Sequence, residues 1–270
     1  MDYDDVLDRL TRWAGDDPNV RALLLTGSAA VGATHPLSDR DLEVYVDDPT
    51  PLLADDAWWS ELGEVLVVER LHAPGWYPSR IVYYAGGKLD LTVLPVGELT
   101  AVVRDRPFTV LVDADGLAAG LEPSPPLLEP PSAADVEQAL NWGYAAALMC
   151  AKAVVRDEPW SAKIRDRDLK EQLLRLVEWD HRARYGAAVD VRFLGSRMRE
   201  WMDPGVQREL EDCWGRFDGA DTARALRACV RLFARLAQRL AARWDLEPFD
   251  HQRLHAEIEA ILDQGLSCGS

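Results

Sequence analysis

The chain has 270 residues, 48% of them hydrophobic, enough for two compact domains with separate cores, and this excludes disorder over most of its length. Lys and Arg number 30 against 46 Asp and Glu, and the formal net charge of −16 disfavours a DNA- or RNA-binding surface. The same acidity either concentrates a small polycation by long-range attraction or simply aids solubility.

The first residues, Met1 to Asp5, are acidic where a secretory leader would be basic and then apolar. No apolar run is long enough to cross a bilayer, so a cytoplasmic chain with no membrane partner is expected. Cys150, Cys213, Cys229 and Cys268 show neither CxxC nor zinc-ligand spacing and read as reduced thiols.

In chain order, Val6, Leu7, Leu10 and Trp13 recur at helical spacing and predict a helix over 2–14. An apolar strand over 20–26 then stops at Gly27-Ser28. Gly27 has no Cβ, so an anion can approach the main chain closely. Exposed backbone N–H groups and the Ser28 hydroxyl would add donors for a phosphate. Gly32 suits a tight turn, and His35, with no second histidine at ligand spacing, reads as a loop residue.

The next strand, 40–47, opens within Asp39-Arg40-Asp41-Leu42-Glu43-Val44-Tyr45-Val46. Leu42, Val44 and Val46 form one face, while Asp39, Asp41, Glu43 and Tyr45 form the other. The two aspartates therefore point the same way and can share a hard divalent cation. A short helix is predicted over 55–62 and strands over 64–71, 79–85 and 88–95, the last two joined by a Gly86-Gly87 turn. On the final strand Asp90 and Thr92 oppose Leu89, Leu91 and Val93, which sets Asp90 beside Asp39 and Asp41 if the strands are neighbours. Three carboxylates and a phosphate-gripping turn form the outline of a Mg²⁺-dependent nucleotidyl-transfer site, with Asp90 completing the metal shell or acting as general base. Taken singly, Asp-x-Asp and Gly-Ser are equally at home as ordinary turn and capping residues. It is their ordered combination that carries the signal.

A further strand is predicted over 108–112, completing an N-terminal α/β (α+β) domain with a mixed sheet over 1–120. The proline-dense segment 121–132 reads as a linker, with Ser132 as the N-cap of the first helix beyond it. Helices predicted over 133–156, 160–185, 204–217, 221–244 and 251–262 make a C-terminal helical bundle domain over 133–263, with a short tail over 264–270. An acceptor molecule needs walls, so the site is expected in a cleft between the domains. Lys152 and Lys163 are candidate triphosphate contacts, with Lys170 a weaker one, and each also fits a solvated helix face. Glu178, Trp179 and Asp180 combine carboxylates with an indole, suited to a protonated aminocyclitol; the same run reads as one side of an amphipathic helix.

The strings LLLTGS over 23–28, SDRDLEVYV over 38–46 and KLDLTVLP over 88–95 resemble the first-domain blocks of the aminoglycoside 6-adenylyltransferases, or streptomycin adenylyltransferases, of the nucleotidyltransferase superfamily. AKAVVRDEPWSAK over 151–163 and LKEQLLRLVEWDHRARYG over 169–186 are similar to that family's helical core. The resemblance implies transfer of AMP from ATP to an aminoglycoside hydroxyl, with the 6-position of streptomycin as the expected acceptor and pyrophosphate leaving. It implies Asp39 and Asp41 as the metal pair, Asp90 as the third carboxylate, and Gly27 and Ser28 as the phosphate turn. Two positions depart from the family pattern. Ala29 stands where Arg often follows Gly-Ser, which touches nucleotide choice. Glu43 stands where an apolar residue is usual, either meeting a cationic acceptor or lying at the strand's wet edge. Another acceptor, such as a lincosamide or a protein hydroxyl, and a non-catalytic ligand trap are the competing readings. A monomer or weak homodimer is expected.

Overall fold

The computed structural model describes residues 1–32, 35, 37–124, 129–186, 189–191 and 194–267, with 265–267 as backbone only. The chain divides into two compact units, Met1–Leu128 and Glu129–Ser270, each considered by itself. Residues 125–128 of the proline-dense segment, Pro36 and Cys268 lie outside the described residues.

The first unit opens with α1 (Tyr3–Asp16), whose first turn is capped by the Asp2 carboxylate accepting from the Asp4 and Asp5 N–H groups. Six strands come next: β1 (Val20–Thr26), β2 (Arg40–Val46), β3 (Val65–Leu71), β4 (Ser79–Tyr84), β5 (Gly87–Pro95) and β6 (Phe108–Asp113). They form one mixed sheet in the order β3-β4-β5-β2-β1-β6. Every pairing is antiparallel except β2 with β5, which run parallel. Parallel neighbours need a long crossover; here it contains α2 (Thr50–Ala54), α3 (Ala57–Ser60) and the β3–β4 hairpin.

Alternation along the central strands buries both faces of the sheet. Leu23, Leu25, Leu42, Val44, Leu89 and Leu91 join Val6 and Leu10 of α1 in the larger core. Ala22, Leu24, Tyr45 and Leu94 pack with Leu99 and Ala118 in a smaller one. A slip of one residue in β2 or β5 would exchange these sets and bring charge into the core, so burial fixes the register.

The second unit is helical: α4 (Ala133–Val155), α5 (Pro159–Tyr185), α6 (Met198–Trp201), α7 (Pro204–Asp212), α8 (Gly219–Trp244) and α9 (His251–Ser267). Ser132 caps α4 in a reciprocal box with Asp135, as the sequence predicts. Pro159 opens α5, where its missing N–H costs nothing. Gly143 lets α4 meet α8 closely, since a Cβ there would lie 2.4 Å from Phe233 Cζ. The core runs through Tyr144, Leu169, Leu173, Leu226, Phe233 and Leu236.

Several elements differ from the sequence-based expectation, among them α9, which runs to Ser267 rather than 262. The helix expected over 55–62 is the single turn α3, preceded by a separate turn α2. α7 stops at Asp212 rather than 217, because the Asp221 carboxylate accepts from the Arg216 N–H and holds residues 213–218 as the lead-in to α8. The one-turn α6 has no sequence signature, being too short for a hydrophobic period.

Candidate active site

β1 ends at Thr26, whose cross-strand partner is Asp41 on β2, and Asp41 is in turn the partner of Asp90 on parallel β5. Three adjacent strands thus bring Gly27, Asp41 and Asp90 to one edge of the sheet, with Asp39 just before β2. One oxygen from each of Asp39, Asp41 and Asp90 lies within 4.8 Å of the other two. Adjacency of Asp90 to the pair is therefore a property of the fold.

Three carboxylates so close repel one another. Burial, then the charges of Asp39 and Asp90, push the Asp41 carboxyl up to about 6 against the pull of Arg106 and Lys88. Burial also raises Asp90, opposed by Lys88. Lys88 Nζ donates to Asp39 Oδ2 at 2.6 Å and stands 3.1 Å from Asp90 Oδ1, while Arg106 Nη1 is 3.5 Å from Asp41 Oδ2. The contact with Asp90 is an ion pair whose angles fall outside a hydrogen bond, so the buried Asp90 Oδ1 keeps acceptor capacity beyond Lys88. An all-oxygen trio with this spare acceptor capacity fits a hard divalent cation, which prefers such ligands.

Gly27 begins a 3₁₀ turn, Gly27–Val31, with φ +76°. A Cβ at this position would lie 3.1 Å from Asp41 Oδ2, so the glycine keeps space for the carboxylate. Its N–H is not one of the exposed donors expected from the sequence, because it donates to Pro107 O at 2.9 Å and ties the turn to the loop before β6. Ser28 is exposed, and Gly32 closes the turn with left-handed backbone. His35 Nδ1 accepts from the Leu37 N–H, consistent with a loop role.

Glu43 shares Asp41's face of β2, but its carboxylate is engaged in a separate network. Tyr45 OH donates to Glu43 Oε2 at 2.6 Å, and Arg104 Nη2 donates to Tyr45 OH at 2.7 Å. This network, with Tyr45 fully buried, accounts for an acidic residue at a position where an apolar one would also pack.

The remaining candidates lie in the helical unit. Lys152 is exposed on the last turn of α4. Lys163, at the start of α5, donates to Gly215 O at 2.9 Å. Lys170 is paired with Asp166. Glu178 sits half-buried some four turns further along α5, about 22 Å from Lys163 at the helical rise. Burial, partly offset by Arg175 and the Gly195 N–H, pushes Glu178 up to about 7. Trp179 packs against the helical core with the Arg175 guanidinium 4.9 Å from its ring centroid. Asp180 is only 2% exposed and is engaged by Arg184 at 2.8 Å and by Arg239. His181 is buried, its Nε2 accepting the Asp203 N–H at 3.0 Å.

Lys88 and Arg106 are the neighbours of the trio that the sequence reading missed. Lys88 was within reach of the same period-two argument, since it stands two residues before Asp90 on β5. Arg106 lies outside the strands, where no periodicity points to it.

A sequence model of the family described as streptomycin adenylyltransferase matches residues 2–260. Among solved structures, the chain is similar to an aminoglycoside 6-adenyltransferase from Bacillus subtilis, at 17% identity over 97% of this chain and 98% of that one, with a TM-score of 0.48. It is also similar to a nucleotidyltransferase-like protein from Exiguobacterium sibiricum, at 13% identity over 96% and 89% of the two chains, with a TM-score of 0.33. No curated protein sequence matches it.

Proposed function

The chain belongs to the streptomycin adenylyltransferase family, and from that footing we propose that it transfers AMP from ATP to a hydroxyl of an aminoglycoside, with the 6-position of streptomycin as the leading acceptor. The observation that carries the proposal is the convergence of Asp39, Asp41 and Asp90 within 4.8 Å beside the Gly27 turn.

Asp39 and Asp41 are assigned as the Mg²⁺ pair, with Asp90 completing the set. When bound, the ion offsets charge on the triphosphate and on the transition state at the α-phosphorus. Asp90, half-buried with its carboxyl raised by burial, accepts the proton of the attacking hydroxyl. Gly27 leaves room for a phosphate close to Asp41, and the exposed Ser28 hydroxyl donates to a phosphate oxygen. Lys152 and Lys163 are assigned to the triphosphate and leaving pyrophosphate. Glu178 and Trp179 are assigned to the cationic acceptor, an ion pair plus an apolar surface being what an aminocyclitol requires. Asp180, held by two arginines, supports that stretch of α5 from within.

Incubation with ATP, Mg²⁺ and a panel of aminoglycosides, with mass spectrometry of the products, tests the assignment. One adenylyl group added to streptomycin is expected. An adduct only on a lincosamide or protein included in the panel would replace the acceptor, and no adduct on any panel member would remove the activity.

A further inference from the structure

The acidic trio holds a cation supplied by β5, the strand that carries Asp90. Lys88 and Asp90 alternate onto one face of β5, and the Lys88 ammonium touches both Asp39 and Asp90. The backbone beneath it is pinned by α1: the Lys88 N–H donates to Tyr3 OH at 2.9 Å, and that hydroxyl donates back to Lys88 O at 3.3 Å. The Arg40 guanidinium stacks on the same tyrosine, 4.0 Å from its ring centroid. The lysine stem therefore leaves a fixed point, and its charge falls on two of the three carboxylates.

We propose that the Lys88 ammonium is a tethered counter-ion of the unloaded site, one that a divalent cation must displace from Asp39 and Asp90 in order to bind. The proposal rests on reading Asp39, Asp41 and Asp90 as a divalent-cation site. Two of the three carboxylates share the lysine's charge, so the free protein tolerates a trio that would otherwise repel itself. An entering divalent ion carries twice the charge and attracts each carboxylate more strongly, but must compete with a cation whose local concentration is set by its tether. The displaced ammonium, a flexible point charge, finds new anions in the phosphates that arrive with the metal. Metal and triphosphate then favour each other's binding, because one vacates what the other satisfies.

Binding of Mn²⁺ to the metal-free full chain without nucleotide, measured by calorimetry and electron paramagnetic resonance, tests this in wild type, Lys88→Met, Lys88→Arg and Asp41→Asn. Lys88→Met is expected to bind Mn²⁺ about tenfold more tightly, the order of effect for a half-buried ion-pair network. Lys88→Arg, which keeps the charge, stays near wild type, and Asp41→Asn loses the site. If Asp41→Asn binds like wild type, the metal-site reading fails. If Asp41→Asn is impaired while Lys88→Met binds no more tightly than wild type, the counter-ion role fails and the metal site stands. Should Lys88→Met unfold without metal, refolding on addition of Mn²⁺ supports the role, and failure to refold overturns it.

Discussion

Gly27→Ala separates the two duties of the glycine at the head of the phosphate turn. Its φ of +76° places the new residue in left-handed backbone, at a cost of about 1–2 kcal/mol. The less flexible unfolded chain returns part of this, leaving a net loss of roughly 1 kcal/mol. The added Cβ also meets Asp41 Oδ2 at 3.1 Å, so the carboxylate must give by a few tenths of an ångström. A displacement of about 1 Å in a reacting group can cost roughly a hundredfold in rate, so this shift should cost on the order of tenfold in kcat/KM. Gly116→Ala is the matched control: φ is +70° and no atom lies within 4 Å of its Cβ. Urea unfolding should show similar stability losses for the two variants, while AMP transfer falls only in Gly27→Ala. A Gly27→Ala enzyme with wild-type kcat/KM, or equal losses of activity in both variants, would refute the claim that the glycine makes room for Asp41.

Two predictions concern the helical unit. The Glu178 carboxyl is raised by burial from 4.5 to about 7, so the folded chain keeps a proton that the unfolded chain has released between those values. Its contribution to stability therefore falls as pH rises through that window. Glu178→Gln should be more stable than wild type at pH ~8, by about 1–3 kcal/mol, and nearly equal to it at pH ~4, while its KM for streptomycin rises. Thermal unfolding at the two pH values checks this, and no gain at the higher pH would contradict it. Asp180→Ala leaves Arg184 and Arg239 without their shared anion. Both arginines are partly exposed, so the loss is about 2–3 kcal/mol rather than that of a fully buried pair, read by denaturant unfolding. An unchanged unfolding midpoint with a raised acceptor KM would instead make Asp180 a direct acceptor contact.

The parts of the site legible in the sequence are those governed by local period. Alternation in 40–46 and 88–94 sorts Leu42, Val44, Leu89 and Leu91 from Asp41 and Asp90, and burial obeys that division. What alternation cannot supply is which strands pair. The parallel register that makes Asp41 and Asp90 partners is set by non-local packing across a crossover of some 40 residues. Hydrogen bonding at Gly27 was hidden for the same reason, since the acceptor, Pro107, is contributed by a distant loop. On α5, helical period places Glu178, Trp179 and Asp180 together but cannot say which is already engaged. Arg239, approaching from α8, joins Arg184 one turn on in holding Asp180 from within the unit. Glu43 is the converse case: it shares a strand face with Asp41, yet Tyr45 and Arg104 claim its carboxylate.

Transfer of label from ATP carrying radioactive α-phosphate to streptomycin, measured in a single turnover for wild type and for Asp39→Ala, Asp41→Ala and Asp90→Ala, bears most directly on the trio as the reacting centre. Labelled streptomycin should form with wild type alone, each variant retaining its helical circular dichroism and unfolding cooperatively. Label transferred by the three variants at the wild-type rate would contradict the assignment of Asp39, Asp41 and Asp90.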